Sequence, residues 1–271
     1  MSNTINSSLV TKRLVAETIA AATAVCPPLR NAFTLIETKP PGPGRTLEIA
    51  SCSATAATLV NPTDWETGAA TVGAVEIAMN LYSKVYGLSA DDIQKGITLA
   101  SIARKATEDF ITDLIGILVT PMTVANYGAA VVSVASDAFG QSDLETLLAS
   151  VNTRRKTVLL HPSYSSKVRS GWLPVTNPAV YEVSPWTSAG ANVVGAVLDP
   201  AGLIVATGLP DSSAVGKSPM TVERFVLPGL EIPAELCTWV MPGTRQLRAA
   251  LSVYLGVAPG VTSACKLLKA A

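Results

Sequence analysis

The run from Ile97 to Val119 does most to limit what this chain can become. Ile93, Ile97, Ala100, Ala103, Ala106, Phe110, Leu114 and Leu118 recur at steps of three and four residues, the spacing that lines one face of an α-helix. At 1.5 Å rise per residue, Ile97–Val119 alone would span roughly 35 Å. Ser89 with Asp92 three residues on offers a variant of a capping box, Gly96 sets the first turns apart, and Pro121 marks the stop. Arg104, Lys105, Glu108, Asp109 and Asp113 fall on the polar face. They read as solvent or interface ion pairs, because acid–base work by a carboxylate dyad needs a partner the sequence does not offer.

Upstream of the rod lies the clearest alternation in the chain. Val75, Ile77, Met79, Leu81 and Val85 share one parity, and Glu76, Asn80, Tyr82 and Lys84 the other, so a half-buried strand is predicted here. "RTLEIASCS" (45–53) alternates in the same way, and "ATAATLVNPTDWETGAATVG" (54–73) between them is too long for a tight turn. Together they predict an extended hairpin with Trp65 near its tip. A long two-stranded hairpin is marginal alone and should lie on something.

An amphipathic helix is predicted from Thr11 to Val25, ended by "CPP", and "KPPGPG" (39–44) is a stiff leader into the hairpin. Downstream, "SDLETLLASV" predicts a helix capped by Ser142 with Leu144, Leu147, Leu148 and Val151 inward. "TVLLHP", "NVVGAVLDP" and "GLIVATGLP" read as buried strands. "LCTWVMP" and "LRAALSVYLGV" flank Gly243-Thr244-Arg245 as a hairpin. The architecture is α+β, with a mixed segment inserted before the last strands.

Composition narrows the function. Charged residues are 15% of the 271 and apolar ones 48%, against about 25% charged in an average soluble domain. A compact monomer of 28.0 kDa would expose about 11,000 Å², thinly covered by 20 basic and 20 acidic side chains. Much of that surface is expected to be buried against other subunits; a merely greasy monomer is the alternative. Zero formal net charge gives no basic field for nucleic acid, and "NTRRK" (152–156) reads as a solvated turn. Mean hydropathy is +0.37, yet no apolar run approaches the roughly 18 residues of a membrane span. "TKRLVAETIAAATAVC" (11–26) imitates a secretory signal, but Glu17 and Val25 spoil it, and it is expected to stay in the mature chain.

Catalytic motifs fare poorly. Gly216-Lys217-Ser218 ends like a phosphate-binding loop, but Asp211 stands where the first glycine should be and would repel phosphates. Asp199 imitates a magnesium-binding aspartate but precedes that loop. The single His161 has no nucleophile elbow near it and is expected to satisfy a local hydrogen bond. Cys26, Cys52, Cys237 and Cys265 form no CxxC pair and read as free, mostly buried thiols. No catalytic, cofactor-binding or metal residue is assigned.

The order of elements resembles the major capsid protein of tailed bacteriophages, the fold named after phage Hong Kong ninety-seven. The likeness rests on "GRTLEIAS", "VEIAMNLYSKVYGLSADDIQKG", "VLLHPSYSSKVRSG", "GAVLDPAGLIVATGLP" and "LPGLEIPAELCTWVMPGTRQLRAALSVYLGV". It implies an N-terminal arm (1–31), an extended hairpin or E-loop (32–86), a spine helix with the first part of a peripheral domain (87–123), an axial domain (124–224) and return strands of the peripheral domain (225–271). It further implies a non-enzymatic coat subunit that assembles with copies of itself into hexamers and pentamers, encloses double-stranded DNA by non-specific inner contact, touches no membrane and resides in the virion after assembly in the bacterial cytoplasm. Portal, scaffolding or decoration proteins are its implied further partners. Only about 30 residues precede the E-loop, too few for a large fused scaffolding segment, and no lysine–asparagine crosslink can be assigned. Leu9, Val10 and Leu14 of the arm, with Val60 and Trp65 of the hairpin tip, are the expected inter-subunit contacts. The arm is expected to contribute little to the subunit's own core. Rival readings are an encapsulin-like compartment shell, a tail-tube protein, and a nucleotide hydrolase using Lys217 and Ser218.

Overall fold

The computed structural model describes residues 7–38, 45–55, 69–88, 98–153, 155–172, 178–184, 186, 192–210, 221–241 and 246–271. Helix α1 (Ser7–Val25) opens the chain, followed by strands β1 (Thr34–Glu37), β2 (Arg45–Thr55) and β3 (Ala69–Leu88) and the rod, α2 (Leu99–Val119). Thr98 starts α2: its extended backbone lets the side chain accept from Ser101 N (3.2 Å) while Ser101 Oγ accepts from Thr98 N (3.3 Å). The expected cap at Ser89 and Asp92, with Ile93, Gly96 and Ile97, lies outside the described residues. Ala103, Phe110, Leu114 and Leu118 are buried as their spacing predicts. Ile111, Ile115 and Val119 are buried as well, because the rod meets α1 as well as the sheet.

That sheet has seven strands: β1, β8 (Leu203–Gly208), β11 (Leu247–Pro259), β10 (Ile232–Val240) and β9 (Thr221–Leu227) in order, with β3 on β11 and β2 on β3. β10 and β11 form the predicted antiparallel pair, closed by Met241 N donating to Gln246 O (2.9 Å); their turn residues 242–245 lie outside the described set. β3 has two successive roles. Residues 80–88 pair with β11, while residues 69–79 pair with β2 as a two-stranded ribbon. The predicted inward face holds at Ile77 and Met79, both fully buried, but fails at Val85, which is 56% exposed while its neighbour Tyr86 is buried. The reason is that β3 is covered on different faces along its length: α2 and α1 pack on the Tyr82 and Tyr86 side, whereas Ile77 and Met79 pack with Ala206, Tyr254 and Ala258.

A second sheet of five strands runs β4 (Val132–Ser133), β12 (Cys265–Lys269), β7 (Val193–Leu198), β5 (Thr157–Leu160) and β6 (Ala179–Glu182). The short helix α3 (Val124–Tyr127) precedes β4, and α5 (Pro162–Ser165) follows β5. Helix α4 (Gln141–Ala149) lays Leu144, Leu147 and Leu148 against Val158, Leu160 and Val197. Ser142 is not its cap. Gly140 precedes the helix and has no side chain to accept, so the Asp143 carboxylate reaches back to Gly140 N instead (2.9 Å).

Sheet membership crosses the segments expected from sequence. β8, placed by sequence in the 124–224 segment, pairs with β1 and β11 in the seven-stranded sheet. β12, placed with the return strands, pairs with β4 and β7 in the five-stranded one. The two crossing chains touch backbone to backbone: Gly260 N donates to Gly202 O (3.0 Å) and Asp199 N to Ala264 O (2.8 Å). A Cβ on Gly202 would sit 2.7 Å from Ala264 O, so only glycine admits this approach. Tyr127 Oη also donates to Gly202 O (2.5 Å).

Candidate assembly surfaces

The arm residues separate once α1 is placed. Thr11, Leu14, Thr18, Ala21 and Ala22 form its buried face, and Thr11 Oγ1 lies 2.6 Å from Thr238 Oγ1 of β10. Leu14 is 2% exposed in the subunit's own core. It is therefore intramolecular packing, and the expectation of a neighbour contact there gives way; so does the expectation that the arm lends the subunit little core. Val10 is half-buried against the same cluster. Leu9, 64% exposed, points away from it. Val60 and Trp65 lie outside the described residues.

The face of the seven-stranded sheet opposite α1 is the surface that sequence reading missed. Register places Val85, Ala250, Cys237 and Val222 in one cross-strand row. The next row is Ser83, Ser252, Glu235 and Arg224. In it Ser83 Oγ lies 2.8 Å from Ser252 Oγ, and Arg224 Nε donates to Glu235 Oε2 (3.0 Å). Glu235 is fully buried, and Cys237 Sγ donates to its other oxygen (3.4 Å). Arg224 and Cys237 thus meet the buried carboxylate, as burial of a charge requires. Val85, Val222 and Val226 (57% exposed) stay open around this polar line. A signal existed in "TVERFVL", where Val222 and Val226 alternate with Phe225 and Leu227: both parities are apolar, so both faces of β9 ask to be covered.

The polar face of α2 is an ion-pair surface, as expected. Lys105 pairs with Asp109 (2.8 Å), Lys84 with Asp113 (3.0 Å) and Arg104 with Glu17 of α1 (2.8 Å). The hydrogen bond between Lys105 and Asp109 raises the lysine's pKa and lowers the carboxyl's; exposed pairs of this kind stabilise little.

Motifs weighed for chemistry make local hydrogen bonds where they are described. His161 precedes α5, with Nδ1 2.8 Å from Ser163 Oγ and accepting from Ser163 N (3.3 Å). Asp199 accepts from Ala201 N (3.0 Å). Cys26, Cys237 and Cys265 are buried thiols outside any disulfide, and burial pushes Cys26 and Cys265 up to about 12. The Cys52 side chain and the Gly216-Lys217-Ser218 loop lie outside the described residues. No group of ligating side chains suited to a metal occurs among the described residues, and none of their helices is long and apolar enough to cross a membrane.

Against solved structures, the chain is similar to that of a virus-like particle from Pyrococcus furiosus, at 12% identity and TM-score 0.56, covering 95% of this chain and 98% of that one. It is also similar to the capsid chain of cyanophage P-SCSP1u, at 10% identity and TM-score 0.57, covering 89% and 87%. The capsid of a native GTA particle matches at 11% identity and TM-score 0.55, covering 93% and 90%. No protein-family model and no curated protein matches the sequence. The mixed α+β fold is thus shared along nearly the whole length with the chains of this virus-like particle and of these capsids.

Proposed function

We propose that this chain is the major coat subunit of an icosahedral shell of the tailed-phage type, with no catalytic role. The observation that carries the reading is the whole-length match to chains whose structures are those of capsids and of a virus-like particle. The open valines of the seven-stranded sheet, the exposed Leu9 on α1 and the β2–β3 ribbon support it, since each is a surface a solitary subunit has no use for. The ribbon serves as the E-loop and lies on a neighbouring copy, with Val60 and Trp65 at its contact. About 800 Å² of apolar contact per neighbour is worth roughly 20 kcal/mol before ordering costs, enough for modest interfaces repeated around hexamers and pentamers to close a shell. The arm, spine and axial segments keep the roles the resemblance gives them, with β8 and β12 exchanged between sheets. A neutral subunit would bind packaged DNA only weakly and without sequence preference, and the virion would be its residence.

Negative-stain microscopy of the purified protein tests the proposal: closed particles are expected, and a population of only monomers, or of stacked rings as a tail tube would form, overturns it. A compartment shell is the second reading, favoured by the virus-like particle match. Particles isolated from the native source decide between the two, holding nuclease-resistant DNA in one case and a co-purifying protein cargo in the other.

A further inference from the structure

Three runs of the sequence carry no Asp, Glu, Lys or Arg: 114–136, 200–210 and 249–265. They lie far apart along the chain, yet the fold brings part of each to one corner at the seam between the two sheets. Helix α3 packs on the short turn Thr262–Ala264 and on β12. The backbone ahead of that turn is tied to the second run, with Gly260 N donating to Gly202 O (3.0 Å) and Val261 N to Ala201 O (2.9 Å). Tyr127, the last residue of α3, donates to the same Gly202 carbonyl.

Val124 is 37% exposed at this corner and Val261 55%, with Ala125, Ala201 and Thr262 open beside them. Asp199 borders it, but its carboxylate is turned to Ala201 N (3.0 Å). An exposed apolar patch of this kind marks a contact surface, and this one is held in place before any partner arrives. Docking on it therefore forfeits little conformational freedom.

We propose that the corner is a self-docking surface, Val124 and Val261 of one copy packing against the same two residues of a second copy across a rotation axis of the shell. The inference rests on the shell reading and adds to it a contact made by the body of the subunit. The occupant is a second copy for a reason of charge and symmetry. Close to a rotation axis each side chain faces its own equivalent, so a charge there meets a like charge and opposes association. A surface assembled from three uncharged runs meets itself without that penalty and takes apolar area out of water on both sides.

Charge substitutions test the self-contact. Val261→Lys should lower the yield of sedimenting particles roughly tenfold, and Val261→Glu likewise, since each sets like charges across the axis. An equimolar mixture of the two variants should recover much of the yield, because lysine then faces glutamate. Urea midpoints of the isolated subunits should match the wild type, since the side chain of Val261 is open and its backbone bonds remain. Wild-type yield from either single variant overturns the proposal. So does failure of the mixture to recover, which assigns the corner to a different part of the neighbour or to another protein. Where a midpoint falls, Val261→Cys decides: a short bismaleimide should join pairs of these subunits within particles beyond any joined in wild-type particles, and no such pairs overturns the proposal. If wild-type protein forms no particles, the shell reading fails and takes this one with it; wild-type particles with any of the adverse results sink this one alone.

Discussion

A Cβ placed on Gly256 would lie 2.6 Å from Ile77 Cγ2 and 2.7 Å from both the Ala78 carbonyl oxygen and Met79 Sδ. β3 passes over β11 at that point, and the missing side chain is what lets it pass. Gly256→Ala should cost about 1–3 kcal/mol of subunit stability, read from urea unfolding. Leu14→Ala should cost about 2–4 kcal/mol by leaving a cavity under α1. Leu9→Ser, on the same helix but outside the core, should leave stability within about 0.5 kcal/mol while lowering particle yield in sedimentation. Stability should also fall on the alkaline side. Burial raises the Cys26 and Cys265 thiols from 9.0 to about 12, and the Tyr86 hydroxyl from 10.0 to about 12. The folded state keeps these groups neutral while the unfolded chain ionises them. Their contribution is therefore full below pH 9 and declines as pH rises towards 12, and denaturant midpoints measured across that window should drop accordingly.

At the scale of elements, α1 belongs to the subunit as much as α2 does. Removing the residues up to Val25 would strip the Thr11–Thr238 hydrogen bond, the Glu17–Arg104 pair and the cover over β9 and β10. The truncated chain should fail to fold, with circular dichroism and proteolysis as the readouts, before assembly comes into question. This element exposes where sequence was readable and where it was not. The rod was legible because one stripe at helical spacing admits few other structures, and β5, β7 and β8 because short β-branched runs between breakers have one sensible use. The stripe of α1 is built from threonine and alanine as much as leucine, and such small residues signal close helix packing only once the neighbour is known. Val85 was misread for a related reason: alternation states which residues share a face, and says nothing of which face is covered. The sheet exchange of β8 and β12 was invisible because pairing partners far apart in sequence leave no local trace.

For the whole molecule, the open valines and the buried Glu235 pull in opposite directions. A carboxylate held dry at the middle of a sheet face fixes which strands neighbour it, while Val85, Val222 and Val226 leave that face unfinished. Val222→Ser combined with Val226→Ser should leave the subunit's unfolding midpoint nearly unchanged and shift sedimentation from particles towards free subunits. The membership of β12 carries a last consequence. β4 has β12 as its one strand partner among the described residues, and β7 takes β12 along one edge. While the protein is being synthesised, the five-stranded sheet stays open until residues 265–269 have cleared the ribosome. The lattice proposed above would therefore recruit only chains in which residues 265–269 already stand between β4 and β7.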